Sequence, residues 1–297
     1  MPVHNAALDT TTLVRPLSSV HLADAPACGR KAACLGELSA RGYTVPASLV
    51  VPTAASAAVA AACGLEELLQ QCAEESTMAP PARLQDIEQE IAAAFERVEM
   101  PDELADQLQA WTSAHGERFA VRSSGTSEDL RGASFAGLYQ SFLDVSEEHV
   151  PRAVLRCLAS LFTARAAIYR RRKGLAHLGS MAVIVQRMVH GEHGGVVFTQ
   201  APRRPSAVLL ECAAGADDVV SGRVTPSRFY LNRDTLHVEE ALDRAGFDIL
   251  SIRAVARVAR AIEAEFGVAQ DIEYVVARRI VYILQARPAS PGAPVRA

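Results

Sequence analysis

No apolar run in this sequence is long enough to cross a bilayer. The longest, such as residues 54–63, are rich in alanine and fall short of the roughly 20 residues that a membrane helix needs. The first residues carry no basic segment followed by an apolar core, so no secretory leader is expected. Six cysteines are present, Cys28, Cys34, Cys63, Cys72, Cys157 and Cys212, but none stands in a CxxC pair. Their scatter argues against a zinc site and against a disulfide frame. They read as reduced core or helix residues, as suits a cytoplasmic protein. Aromatic residues make up only 5%, and the one tryptophan, Trp111, reads as core rather than as a ligand platform. An excess of either charge is also lacking. A net charge of −4 offers no surface for nucleic acid or for a membrane. With 297 residues, 49% hydrophobic and 22% charged, the chain can bury a real core as one large domain or two moderate ones.

The most informative stretch spans residues 119–145, FAVRSSGTSEDLRGASFAGLYQSFLDV. It opens with an apolar run over residues 119–121 and closes with Tyr139, Phe142, Leu143 and Val145. Both ends read as strands. Between them lie Ser123, Ser124, Gly125, Thr126, Ser127, Gly132, Ala133, Ser134 and Gly137. Side chains this small let backbone N–H groups approach an anion, and the hydroxyls add donors. Arg122, at the strand end, can hold phosphate oxygens in a bidentate fork. Residues 122–137 are therefore a candidate phosphate loop, although a Ser/Gly-rich surface loop has the same composition.

The second signal is a hairpin near the end of the chain. Residues 270–276 and 280–288 read as strands joined by a tight turn at Arg278 and Arg279. Period two puts Asp271 and Glu273 on one face of the first strand, and Gln285 and Arg287 on one face of the second. A hairpin centred on Arg279 sets Asp271 opposite Arg287 and Glu273 opposite Gln285. A slip of one residue would separate the pairs. Two carboxylates, an amide oxygen and a guanidinium suit magnesium with a polyphosphate, because magnesium is held by one or two carboxylates plus phosphates. The arginine would neutralise charge as a phosphate is transferred. A surface hairpin with ion pairs would use the same residues.

The remaining elements read as scaffold. A helix is expected over residues 30–41, then a turn and strand over 45–51. Three helices are expected over 54–75, 83–98 and 101–115. One long helix is expected over 146–172, ending in Arg170-Arg171-Arg172-Lys173, which suits the helix dipole or a phosphate patch. Strands follow over 181–189, 194–199 and 207–212, then a helix over 249–266. Glu211, on a buried strand, is either a site carboxylate or a salt-bridged strand end, since an unpaired buried charge is costly. His190 and His193 fall in a turn and read as bystanders rather than as a phosphoryl relay.

Residues 121–137, V-R-S-S-x-T-x-E-D-L-x-x-A-S-F-A-G, resemble the signature of the nucleotide-binding domain of phosphoenolpyruvate synthase and pyruvate phosphate dikinase. Rifampicin phosphotransferases carry the same domain. The likeness runs over residues 28–288. It implies an ATP-grasp fold of the α+β class, with two α+β subdomains and the nucleotide between them. These would be residues 13–180 and 181–290, flanked by a loose extension (1–12) and a tail (291–297).

The resemblance gives ATP-phosphate contacts to Lys31, Arg122, Ser123, Ser124, Thr126, Gly132, Ser134 and Arg287. It gives adenine-side contacts to Gln186, Met188 and Val189, and places Thr199 and Glu211 at the nucleotide. Glu273 and Gln285 take the metal roles, with Asp271 as a further ligand. Arg30 stands where the family has glycine, Gln200-Ala201 where it has Arg-Asp, and Asp218 where it has glutamate. The sequence contains no T-x-G-G-x-T-S-H element for a phosphohistidine.

The implied activity is transfer of a phosphoryl or pyrophosphoryl group from Mg-ATP. The acceptor would be a small molecule or a histidine on a separate phosphohistidine-domain subunit. The fold also hosts carboxylate–amine ligases acting through an acyl phosphate. The altered segments at 200–201 and 215–218 leave open an ATP-binding module without catalysis.

Overall fold

The computed structural model describes residues 13–127, 138–174, 179–214, 224–242 and 246–289. Its strands form two antiparallel sheets. The first holds β1 (Arg15–Pro16), β2 (Ser48–Val51), β3 (Arg118–Gly125), β4 (Ser141–Ser146) and β5 (Met181–Arg187), in the order β1-β2-β5-β3-β4. The second holds β6 (His193–Phe198), β7 (Ala207–Ala213), β8 (Ser227–Asn232), β9 (Val238–Leu242), β10 (Gln270–Ala277) and β11 (Ile280–Pro288), in the order β11-β10-β6-β7-β8-β9.

The helices are α1 (Ala25–Ala40), α2 (Thr53–Ala62), α3 (Glu66–Glu75), α4 (Pro81–Arg97), α5 (Asp102–His115), α6 (Val150–Ala159), α7 (Ala164–Arg172) and α8 (Ile249–Phe266). The α+β class is as expected. Two sheets meeting at a cleft agree with the ATP-grasp plan that the resemblance implies.

Two cores follow from the two faces of the first sheet. On one face Leu49, Phe119, Val121, Val183 and Val185 pack under the apolar stripes of the helices between α2 and α7, such as Leu84, Ile87 and Ile91 of α4. On the other face Val50, Ala182 and Ile184 pack against Ala32, Leu35 and Leu38 of α1. The same cluster continues to Ile283 and Ala286 of β11 and to Ile252, Val255 and Ala259 of α8. Helix α1 thus ties the two sheets together. Each fully buried leucine, isoleucine or phenylalanine contributes about 2 kcal/mol relative to exposure.

Several expected boundaries move for identifiable reasons. β5 is buried at every position except Arg187 and lies between β2 and β3, so it belongs to the first sheet. The strand expected to open the second half thus pairs within the first sheet. The helix expected over 54–75 is broken by Gly64 at φ 66° into α2 and α3. The one expected over 146–172 is broken at Thr163, whose hydroxyl accepts from the Ala166 amide at 3.3 Å and caps α7. The basic end of α7 places Arg170, Arg171 and Arg172 in its last turn, as the dipole reading expects, and two of them are tied into the fold. Arg170 is buried and donates to the Leu161 carbonyl at 3.1 Å, and Arg171 donates to the carbonyls of Ser76 and Ala79. Helix α8 keeps its expected limits: Asp248 caps its first turn and Gly267 closes it at φ 67°.

Candidate functional site

The register of the second sheet builds rows of side chains on the face turned away from α8. One row reads Arg228, Glu211, Val196, Glu273 and Gln285 across β8, β7, β6, β10 and β11. The next reads Tyr230, Leu209, Phe198, Asp271 and Arg287. The expected pairs, Asp271 with Arg287 and Glu273 with Gln285, are therefore both present. Arg287 grips one carboxylate oxygen of Asp271 through Nε at 3.1 Å and Nη2 at 2.6 Å.

The first sheet closes over this face. Arg122, on β3, reaches across to Glu273 of β10, with Nη1 3.3 Å from Oε2. Its Nε is buried and has no hydrogen-bond partner. A buried guanidinium N–H without an acceptor is costly, and an anion beside it would satisfy it. Lys31 comes to the same place from α1 and donates to the Ser123 carbonyl at 3.2 Å. It gets there because Gly29, at φ 73°, interrupts α1 and lets the chain lie directly against Ser124. Three cations (Lys31, Arg122, Arg287) and three oxygen-bearing side chains (Asp271, Glu273, Gln285) thus line the junction of the sheets. A polyanion carrying a divalent cation matches both sets of charges.

The other residues assigned to the nucleotide that lie among the described residues have partners or surroundings within the protein. The apolar run at 119–121 is only the start of β3, which continues through both serines to Gly125. Side chains alternate along a strand, so Ser123 and Ser124 face opposite ways. Ser123 pairs with Val183 on the side of the helical core, and its hydroxyl is buried without a partner. Ser124 faces α1, where its hydroxyl donates to the Cys28 carbonyl at 2.9 Å and accepts from the Ala32 amide at 3.1 Å. It caps the resumed helix.

Thr126 bonds Ser180 through backbone and hydroxyl, fastening the start of the loop to the chain before β5. Thr199 is buried, and its hydroxyl accepts from the Gln270 amide at 2.8 Å. Gln186 is buried against Ser48 at 3.2 Å, and the Met188 amide donates to the Arg118 carbonyl at 2.9 Å. Val189 lies just beyond β5 and is half-buried. Gly132 and Ser134 lie outside the described residues. His193 faces away from the cleft: its Nε2 is 2.7 Å from Ser251 of α8, and burial pushes its pKa down.

The family described as pyruvate phosphate dikinase, AMP/ATP-binding domain, matches residues 25–245. The chain belongs to that family. A probable phosphoenolpyruvate synthase of Methanocaldococcus jannaschii is 29% identical over 96% of this chain and 27% of its own length. Rifampicin phosphotransferase of Bacillus cereus is 32% identical over 90% of this chain and 34% of its own length. Rifampicin phosphotransferase of a Streptomyces species is 36% identical, over 95% and 36%. The chain therefore spans about a third of these relatives. Among solved structures, D-alanine–D-alanine ligase from Bacillus anthracis overlaps only slightly, with a TM-score of 0.30 and 10% identity over 70% of this chain and 57% of that one.

Within this dikinase-type ATP-binding domain, Arg228 is a residue that sequence reasoning missed. It sits directly opposite Glu211, and its Nε lies 2.9 Å from Oε1. Glu211 is only 1% exposed, so its ion pair with Arg228 is largely withdrawn from solvent. The available signal was the alternation in residues 227–232, which puts Arg228 and Tyr230 on one face. Arg228→Ala is expected to cost about 3 kcal/mol, because it leaves a buried charge unpaired. Replacing both residues with leucine should recover most of that loss. Urea unfolding of the parent and the two variants checks this, and a near-neutral Arg228→Ala would mean that the pair does not hold the sheet as described.

The cysteines take no part in the site. Cys28, Cys72, Cys157 and Cys212 are buried. Burial pushes the Cys28 and Cys72 thiols up, and Cys212 up to about 12, so these remain protonated and unreactive. No helix among the described residues is long and apolar enough to cross a membrane.

Proposed function

We propose that the cleft between the sheets binds Mg-ATP, and that the protein transfers a phosphoryl or pyrophosphoryl group from it. The observation that carries this reading is the bond between Arg122 and Glu273, which joins a phosphate-type cation on one sheet to a metal-type carboxylate on the other. Lys31, Arg122 and Arg287 would hold the phosphates. Glu273 and Gln285, adjacent across the hairpin, would hold the magnesium, with Asp271 as a further oxygen donor.

These side chains fit that ion. They are hard oxygen donors, and two carboxylates with one amide are too few to enclose it, so the nucleotide phosphates complete the set. Bound magnesium would neutralise charge on the phosphates. The chain's own cations would orient the polyphosphate and stabilise the negative charge that develops on the transferred group. A fixed guanidinium does this without the reorganisation that water would need.

The acceptor would be a small molecule or a histidine on a separate phosphohistidine-domain subunit, in keeping with the named activities of the relatives. Phosphorus NMR of the protein with Mg-ATP and a metabolite pool from its own cell extract tests the reading. AMP with phosphate or a phosphorylated product supports it. ADP with an amide product would make the protein a ligase of the acyl-phosphate kind. ATP that binds yet never turns over, even with phosphohistidine-domain proteins added, would reduce it to a binding module.

A further inference from the structure

The register of the first sheet puts Gln186 on the same face as Arg122. Arg122 lies opposite Ile184, while Gln186 lies between Ala120 on β3 and Ser48 on β2. Side chains two residues apart on a strand share a face and stand about 7 Å apart. Gln186 is therefore one step along the sheet from the cation that meets Glu273, at the end of β5 that leads to Met188. It is 1% exposed.

The amide of Gln186 can be held in only one way. Ser48 Oγ lies 2.8 Å from the Pro46 carbonyl oxygen and 3.2 Å from Gln186 Nε2. A carbonyl oxygen only accepts, so the single hydroxyl proton goes to Pro46. Towards Gln186 the same oxygen can then only accept. That requires the amide nitrogen there and turns Oε1 away from Ser48. Oε1 takes no hydrogen bond among the described residues. An acceptor withdrawn from water without a donor is costly, and an N–H group of a ligand would satisfy it.

We propose that Ser48 is a positioning residue for base selection, which locks the Gln186 amide so that Oε1 meets a nucleotide base bearing an amino group. The proposal rests on the cleft as the nucleotide site. An exocyclic amino group such as that of adenine donates to Oε1. A base with a carbonyl oxygen at that place, such as hypoxanthine, sets two acceptors against each other. Ser48 itself touches no nucleotide. A glutamine that is not locked can turn its amide over and donate to such an oxygen. The hydroxyl thus converts an adaptable side chain into a selective one.

The test is calorimetric titration of the full chain with Mg-ADP and with Mg-inosine diphosphate, which differ only in the amino or carbonyl edge of the base. The parent should prefer ADP by about tenfold or more, because a site built around one hydrogen bond rejects the analogue that cannot make it. In Ser48→Ala the freed amide should weaken ADP binding and tighten inosine diphosphate binding, bringing the two within about threefold. Loss of packing alone would weaken both together. Gln186→Met keeps the length but has no amide, so it should lose the preference with no gain for inosine diphosphate. Thermal unfolding reports whether each variant is folded. The proposal is overturned if the parent binds both diphosphates equally, if Ser48→Ala keeps the parental ratio or weakens both by the same factor, or if Gln186→Met keeps the preference. If the parent binds neither diphosphate, the nucleotide reading of the cleft fails and this proposal fails with it.

Discussion

Replacing Glu273 with glutamine is expected to cut turnover of Mg-ATP by about 100-fold or more while leaving the fold in place. The carboxylate sits at the centre of the cleft, opposite Gln285 and bonded to Arg122. The amide keeps its shape but loses the charge that a magnesium ion needs. It also loosens Arg122, whose Nη1 then lacks an ionic partner. Glu273 is partly exposed, with 18% of its side chain accessible, so the fold does not depend on it. Product formation at saturating magnesium, followed by phosphorus NMR, reads the effect, and thermal unfolding reports whether the fold is intact. Turnover at the parent's rate would remove Glu273 from the site and would take the metal assignment of Gln285 with it.

The second large effect is expected at Gly29. A Cβ at this position would lie 2.0 Å from the Ser124 carbonyl oxygen and 2.3 Å from its hydroxyl. Its φ of 73° is also one that side chains disfavour. Gly29→Ala must push α1 away from β3, break the Ser124 bonds to Cys28 and Ala32, and withdraw Lys31 from the cleft. The loss of stability should be about 3 kcal/mol or more, because overpacking adds to the backbone strain.

Gly42 supplies the control. It has a comparable φ of 87°, but nothing lies within 4 Å of its Cβ position. Gly42→Ala should therefore cost only about 1 kcal/mol, the strain alone. Denaturant unfolding of both variants, with nucleotide affinity measured on the folded fraction, separates the two contributions. Equal small losses in both would show that α1 does not press on β3 as described.

Much of the second half was legible because its signals are local. Asp248 and Gly267 mark the ends of α8, and the apolar residues between them repeat with the helical period. Where the structure adds to the reading, the deciding interaction is remote in sequence. The serines of the loop signature look alike as letters, yet β3 runs through them and turns one towards each core. Ser124 then caps a helix that begins more than ninety residues earlier. Thr199 and Gln186 likewise spend their polar groups on Gln270 and Ser48. Glu211 was undecided between a site carboxylate and a salt-bridged strand end, and the register of β8 supplies its partner Arg228.

The closing hairpin separates what each level decides. Sequence alone put two acids on one strand, a glutamine and an arginine on the other, and a turn at Arg278 and Arg279. It also pointed to the pairing of Asp271 with Arg287 and of Glu273 with Gln285. The route to that pairing differs from the single centre at Arg279. The turn has two residues, Arg278 at φ 52° and Arg279 at φ 64°, and it pairs Ala277 with Ile280 and Tyr274 with Ile283. Continued unchanged, that ladder would set Glu273 opposite Leu284 and would turn Gln285 and Arg287 into the core. A bulge between Glu273 and Tyr274 shifts the register by one and brings them back to the cleft. The neighbouring apolar residues Ile283 and Leu284 mark the change of phase in the sequence. Only the tertiary structure makes it necessary, because Val281, Ile283 and Ala286 must all pack into or against the same core. One extra residue in β11 satisfies that packing and still leaves the polar pair facing the cleft.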